Sequence, residues 1–269
     1  MSKKILSVSL KDVAVEFAQV KVVGAPLTTT ESWTGRWFPD KPTTPKPKIN
    51  IPLETHRMPM GDINPECDDG KVNTTIDWDG SILNYICMNP RNRFVPDESI
   101  ESIIEFENIP EAYEAPHFCM DTKIKYTQSL PTFGPHRPLW PVYGEYEYLP
   151  KERWLHTLEH GGIVALYHPC ADLMEIKLLK NLVKTCLRRH VISPSVDLTK
   201  ERPFALLAWG VRFTMSTVYP NSIRQFIKEK ALKGPEKLSD DGQFNLNLIE
   251  KALIVSNIDD NDLCPDKMK

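Results

Sequence analysis

Residues 126–170 read YTQSLPTFGPHRPLWPVYGEYEYLPKERWLHTLEHGGIVALYHPC, and the other segments of the chain are best understood in relation to this stretch. Pro150 and the acid two residues later are typical of a helix start, because proline fits the first turn and an acid there faces the positive end of the helix dipole. Gly161 and Gly162 predict the helix end, since glycine supplies the left-handed residue that closes many helices. The apolar run at residues 163–167 then predicts a strand. Together these signals predict a helix–turn–strand unit.

The predicted helix carries two histidines on one face. His156 and His160 are four residues apart, which places them one above the other on a helix. Glu159 lies beside them. The apolar residues of the helix fall on roughly the opposite side, where they predict the core contact: Trp154, Leu155 and Leu158. The histidines therefore face either water or a second, polar contact.

A proline-rich segment just before the helix offers such a contact. Residues 131–141, here called the proline strap, contain prolines at 131, 135, 138 and 141, which make the segment stiff and extended. The tripeptide Gly134-Pro135-His136 is typical of a turn. If the strap folds back along the helix, His136 completes a cluster with His156 and His160. Imidazole-only sites suit zinc or copper, with Met120, His168 or Met215 open as a further ligand.

Two other interpretations of the same residues stay open. One is structural: His160 caps the last turn, His156 bonds a loop carbonyl, and Glu159 pairs with Arg137 or Arg153. The other is an enzyme, because His-x-x-Glu-His is the inverted zinc-protease signature, in which Glu159 would be the catalytic base. The glycines directly after His160 argue against the protease, whose helix usually continues. The sequence has no Gly-x-Ser-x-Gly elbow, P-loop or dinucleotide glycine motif, which favours a non-enzymatic protein.

Composition and charge exclude several classes of protein. The 269 residues are 41% hydrophobic and 26% charged, as in ordinary globular domains. A formal net charge of −3 argues against a nucleic-acid partner, which would require a basic face. No apolar run of about 18 residues is present, so we expect no transmembrane segment in this chain.

The cysteines and the N-terminus point to different compartments. Six cysteines, at positions 67, 87, 119, 170, 186 and 264, are compatible with three disulfides, and we expect at least two. Cys170 and Cys186 bracket a predicted helix and are therefore too far apart to pair with each other. Asn73-Thr74-Thr75 is a glycosylation sequon. The first 17 residues are a poor signal peptide, which indicates the cytoplasm if this N-terminus is genuine.

The order of patterns predicts an α+β fold, with a mixed sheet, helices packed on it and long irregular proline-rich segments. We divide the chain into N-terminal strands with a proline-rich connector (1–65), a main domain (66–255) and a polar acidic tail (256–269).

Short strands are expected around the turns of residues 67–88, and either a helix or a strand at 99–108. Further predictions are helices at 171–189, 221–232 and 245–255, and one bent strand or two strands at 203–215. His56 and His117 are interpreted as surface histidines.

Three segments together resemble a known family. PTFGPHRPLWPVYGEY, LPKERWLHTLEHGGIVALYHPC and RPFALLAWG are similar to the domain of unknown function 3105 over about residues 120–230. The family includes bacterial extracytoplasmic proteins and an animal protein linked to growth control. The resemblance implies a secreted or membrane-associated full-length protein, and it places any family site at His136, His156, Glu159 and His160.

From these observations we predict an ectodomain that binds an unidentified protein partner in growth control, without enzymatic activity. The alternative is a copper- or zinc-binding protein, or a metalloenzyme, that uses the cluster of His136, His156 and His160.

Overall fold

The computed structural model describes residues 61–266 and the backbone of strand β1, Val20–Val23. The rest of the predicted N-terminal segment, including His56 and most of the proline-rich connector, lies outside the described residues. The other strands are β2 (Ser102–Phe106), β3 (Gly144–Tyr146), β4 (Ile163–Tyr167), β5 (His190–Pro194), β6 (Phe204–Ala208), β7 (Val211–Met215) and β8 (Leu248–Lys251). The helices are α1 (Lys151–Glu159), α2 (Leu173–Lys184) and α3 (Pro220–Lys230). Short 3-10 helices occur at Thr74–Ile76 and Ile82–Asn84.

The strands form one mixed sheet in the order β1-β2-β7-β6-β4-β5-β3-β8, which confirms the α+β class. Strands β4 and β5 are parallel and are joined through α2, whereas β4, β6 and β7 pair antiparallel. Alternate residues of β4 face opposite sides of the sheet, as strand geometry requires. Ile163 packs with α2 and α3, and Val164 packs with α1. Helices therefore cover both faces, and among the described residues α1 is the one helix on the face that carries the candidate site.

The organising stretch folds as predicted. Helix α1 begins after Pro150 and ends at Glu159, and β4 follows directly. Trp154, Leu155 and Leu158 are buried against the sheet, as the helical pattern predicts. The segment 203–215 forms two strands with Gly210 in the turn between them, and 99–108 contains strand β2.

Two secondary-structure predictions are wrong. Residues 245–255 were expected to be helical, but the segment contains edge strand β8, which pairs antiparallel with β3. Short strands were expected within residues 67–88, where the structure has the two 3-10 helices and turns instead. Strand β8 depends on a distant partner, β3, which a local pattern does not encode.

Three disulfides cross-link segments that lie outside the strands and helices. They link Cys67 to Cys119, Cys87 to Cys170, and Cys186 to Cys264. Cys170 and Cys186 are not bonded to each other, as predicted. The last of these bonds attaches the C-terminal segment to the end of α2. There Asp260 is fully buried and accepts hydrogen bonds from the backbone amides of Arg188 (2.6 Å) and Arg189 (3.0 Å). Three disulfides are typical of a protein that matures in an oxidising compartment.

Within the part of the chain that the structure describes, no helix is both long enough and apolar enough to cross a bilayer.

The glycine that ends α1 permits a testable prediction about stability. Gly161 has a φ of +76°, and an added Cβ would lie 2.8 Å from the Cα of Leu232. Gly80 has a similar φ of +81° but nothing within 4 Å of an added Cβ. Both alanine variants carry the cost of left-handed backbone, about 1–2 kcal/mol, and only Gly161→Ala adds a backbone clash. We expect Gly161→Ala to lower the free energy of unfolding in urea by at least about 1 kcal/mol more than Gly80→Ala does. Equal losses would show that the loop around Leu232 moves away freely.

Candidate metal centre

The proline strap passes along α1 on the side that carries His156. Its attachment is a backbone hydrogen bond from the amide of Arg137 to the carbonyl of Glu152, 2.9 Å long. His156 is fully buried and His160, the residue directly after α1, is 1% exposed, so neither histidine faces water. The imidazole rings of His136 and His156 come to 4.4 Å between centroids. The strap therefore folds back along α1 as predicted. It supplies the polar contact for the face of the helix that carries His156.

A third histidine reaches the cluster from a segment before the strap. His117 forms an isolated parallel bridge with His136, through hydrogen bonds from the amide of Phe118 to the carbonyl of His136 (3.0 Å) and from the amide of His136 to the carbonyl of Pro116 (3.1 Å). The prediction that His117 is a surface histidine is wrong, because its side chain is only 15% exposed. The bridge sets its ring 5.0 Å from that of His156.

One carboxylate joins the three imidazoles. The Oε2 atom of Glu159 lies 2.9 Å from Nε2 of His136, 3.7 Å from Nε2 of His117 and 4.0 Å from Nε2 of His156. The Nε2 atoms of His117 and His136 are 3.0 Å apart. Ligand atoms that each lie about 2.05 Å from a zinc ion, in a tetrahedron, are about 3.3 Å from one another. The distances between the atoms of this group lie on both sides of that value. His117, His136, His156 and Glu159, here called the primary cluster, thus have the dimensions of a metal site.

Hydrogen bonds from the opposite ring nitrogens orient two of these imidazoles. Nδ1 of His136 lies 2.9 Å from the carbonyl oxygen of Gly134, and Nδ1 of His156 lies 2.7 Å from that of Arg137. A carbonyl only accepts, so each Nδ1 carries the proton, and in a neutral ring Nε2 presents a lone pair to the cluster. Histidines that bind metals are commonly held in this way. Both carbonyls belong to the proline strap.

Burial favours the neutral form of two rings in this cluster, those of His117 and His156. Desolvation, followed by the neighbouring charges of His136 and His160, lowers the pKa of His117 to about 3. Desolvation also holds the pKa of the His156 ring well below its ordinary value. Neutral imidazole is the form that coordinates metal ions, so these two residues are ready to bind at neutral pH.

Lone pairs of the primary cluster point toward one another, so a proton or a cation has to lie between them. A proton on Nε2 of His136 would satisfy one contact, either with His117 or with Glu159. In either case Nε2 of His156 would still have no hydrogen-bond partner among the residues that the structure describes. Each buried polar atom left without a partner costs about 1–3 kcal/mol. A cation at the centre would satisfy all four atoms at once.

The structural interpretation is only partly realised. His156 does bond a loop carbonyl, but Glu159 pairs with neither arginine. Arg137 binds the carboxylate of Asp77, and Arg153 binds that of Asp68. His160 occupies the position after the last helical residue, yet neither of its ring nitrogens has a hydrogen-bond partner in residues 61–266. Its side chain therefore does not cap the helix.

The other proposed ligands are engaged elsewhere. The sulfur of Met120 lies 3.1 Å from Nη2 of Arg153. Nδ1 of His168 accepts a hydrogen bond from the amide of Cys170. Met215 is buried in the core between the sheet, α2 and α3. His160 lies beside the primary cluster, with its ring 4.6 Å from that of His156, and belongs to a second group with Glu159 and Glu236. Of the predicted trio, the structure brings His136 and His156 into the primary cluster.

Comparisons with known proteins cover the same region. Residues 117–242 match the family described as "Protein of unknown function (DUF3105)", which confirms the resemblance seen in the sequence. The chain is also similar to the protein named "Tumor protein p53-inducible protein 13" of Rattus norvegicus, with 30% identity over 94 residues. That alignment covers 34% of this chain and 24% of the rat protein, so the chain spans about a quarter of its relative. No solved structure matches. The family match begins at His117 and includes every residue of the primary cluster.

Proposed function

We propose that the part of this chain that matches the family is a transition-metal-binding domain, and that its ion is zinc or copper(II). His117, His136, His156 and Glu159 would hold the ion. The observation that supports this proposal most strongly is the convergence of one ring nitrogen from each of three histidines and one carboxylate oxygen within 4.8 Å of one another, in a region that is almost closed to water. Imidazole and carboxylate ligands suit both ions, whereas the softer copper(I) prefers sulfur.

The ligand set favours a binding or structural role over catalysis. Four protein ligands fill the coordination of a tetrahedral ion and leave no open position for a substrate. Glu159 would be a ligand, so it would not be free to act as the base that the protease pattern suggests. His117 is the most exposed member of the cluster and is the natural point of entry for the ion.

Metal content of the purified protein tests the proposal. The chain should be made without a histidine tag in a secretory host, incubated with zinc or copper(II), desalted and analysed for metals. We expect at least one equivalent in the wild type and loss of the primary ion in His156→Gln, because the cluster then lacks a nitrogen ligand. Less than about a tenth of an equivalent in the wild type would contradict the proposal, since buried sites of this kind bind tightly.

His190 provides a matched control. It is also buried, its Nδ1 also lies 2.7 Å from a carbonyl oxygen (that of Leu187), and its Nε2 also has no hydrogen-bond partner within the described residues. It belongs to neither of the candidate metal-binding groups. His190→Gln should therefore retain the ion. Equal loss of metal in both variants would indicate general unfolding and not the removal of a ligand.

We also propose that the protein matures in the secretory pathway, as a secreted or membrane-associated protein, and carries a glycan. The three disulfides support this compartment. Asn73, in the predicted sequon, is exposed at the start of a 3-10 helix. Material from a secretory animal host should show a mass shift that an N-glycosidase removes and that Asn73→Gln abolishes. Six free thiols in that material would contradict the compartment.

A role in growth control rests on the family resemblance and on the similarity to the rat p53-inducible protein. We propose that the domain serves such a role by binding a protein partner. Comparing the growth of cells that carry the wild type, His156→Gln or no copy of the gene would test it. Identical growth of the three kinds of cell would contradict the proposed role in growth control.

A further inference from the structure

The imidazole of His160 is buried beside the primary cluster. Its side chain has no exposed surface, and both ring nitrogens lack partners in the part of the chain that the structure describes. The ring of Trp140 packs against it edge-on, with 4.5 Å between centroids. A buried imidazole with two unsatisfied nitrogens is costly unless something occupies the adjacent space.

A loop after α3 brings a second carboxylate to this histidine. Oε2 of Glu236 lies 3.1 Å from Nε2 of His160. The two atoms are close but are not aligned as donor and acceptor, and neither has another hydrogen-bond partner within residues 61–266. Two ligand atoms of the same metal ion are also close without being aligned for a hydrogen bond, because each directs its lone pair at the ion and not at the other atom.

The backbone holds this loop firmly against the end of α1. The amide of Leu232 donates to the carbonyl of Gly161 (2.7 Å), and the amide of Glu236 donates to the carbonyl of Glu159 (3.1 Å). Between them, Gly234 approaches so closely that an added Cβ would lie 2.1 Å from the carbonyl oxygen of Glu159. The position of Glu236 is therefore fixed by main-chain contacts to the same turn that carries Glu159 and His160.

We propose that a second divalent transition-metal ion binds between Glu159, His160 and Glu236, and that Glu159 bridges it to the ion of the primary cluster. One ligand atom from each of these residues lies within 4.8 Å of the others, and Glu159 is common to both groups. A carboxylate has two oxygens, so it can contact two ions, which in such centres are about 3.5–4 Å apart. This inference rests on the proposed function, since the primary ion is one half of the centre.

The two ions would differ in exchange with solvent. The primary ion has four protein ligands, three of them almost fully buried. The second has three, and the side chain of Glu236 is 31% exposed. Three protein ligands leave a coordination position for water or an exogenous ligand. We therefore expect the second ion to bind more weakly and to exchange more readily than the first.

Stoichiometry tests the second site. Protein stripped of metal should be titrated with zinc by calorimetry, and its zinc content measured by elemental analysis after desalting. We expect two equivalents to bind the wild type, one tightly and one more weakly, and one equivalent to bind Glu236→Ala. Glu229→Ala removes a carboxylate that is 50% exposed on α3, outside both metal groups, and should still bind two.

Copper(II) gives an independent readout of the bridge. The first equivalent should produce a paramagnetic resonance signal, and the second should reduce the signal per ion in the wild type, because ions that share a carboxylate couple magnetically. One equivalent in both the wild type and Glu236→Ala would overturn the second site but leave the primary site intact. Two equivalents in Glu236→Ala would place the second ion elsewhere and would also overturn it. Binding of no metal at all would instead contradict the proposed function.

Discussion

Replacing Arg153 with methionine is expected to lower the free energy of unfolding by about 3–5 kcal/mol, as when a buried ion pair loses one member. Arg153 lies on α1, is 1% exposed and forms two hydrogen bonds to the carboxylate of Asp68, one of them 2.8 Å long. Asp68 is equally buried. The guanidinium also donates to the carbonyl of Leu139 and lies 4.3 Å above the ring of Phe244. Methionine restores much of the volume but leaves the Asp68 charge without a counterion.

Two comparisons separate this effect from a general loss of packing. Arg153→Met combined with Asp68→Asn should recover much of the stability, because the amide is uncharged and its oxygen can still accept from the backbone amides of Gly70 or Leu139. Lys151→Met on the same helix removes a solvent-exposed pair with Asp197 and should cost less than about 1 kcal/mol. Urea denaturation measures all the variants. If Arg153→Met were no costlier than Lys151→Met, the buried pair would not be a determinant of stability.

Removal of metal is expected to produce the second large effect. An ion that binds only the folded protein stabilises it by about 4 kcal/mol when its free concentration is a thousand times Kd. For a domain of this size each kcal/mol corresponds to about 2–4 °C in Tm, so a chelator should lower Tm by about 8–16 °C. The reason is that the lone pairs of the primary cluster would again face one another without a cation.

The variants used for metal content also check this shift. His156→Gln should melt at nearly the same temperature with and without zinc, whereas His190→Gln should retain most of the difference. Differential scanning calorimetry at matched protein concentration measures both. A wild-type Tm that does not respond to zinc, copper(II) or a chelator would contradict an ion at this position.

Local signals in the sequence predicted the elements that are determined locally. Pro150 and Gly161 mark the two ends of α1, and each acts through the conformation of its own backbone. Strand β8 was missed because its partner β3 lies about a hundred residues earlier, at Gly144. An apolar segment of that length is compatible with either a helix or an edge strand until its partner is known.

The sequence also predicted the part of the candidate site that depends on local signals. The spacing of His156 and Glu159 on one helix, and the stiffness of the strap that carries His136, are visible in the sequence. His117 was missed because it reaches the cluster through a backbone bridge to His136, which no spacing rule describes. Glu236 was also missed, since it depends on the close approach of Gly234 to α1. The sequence shows the residue types of the site but not which of these residues come together in space.

The bond between Cys67 and Cys119 has a consequence for where the domain can mature. Cys119 is two residues from His117, so the bond restrains the segment that supplies the most exposed member of the primary cluster. In a cell, a thiol reductant would loosen that segment, and the loss of its imidazole would weaken retention of the ion. If the protein matures in the secretory pathway and binds metal as proposed, formation of this bond should precede metal binding, and its reduction should release the ion.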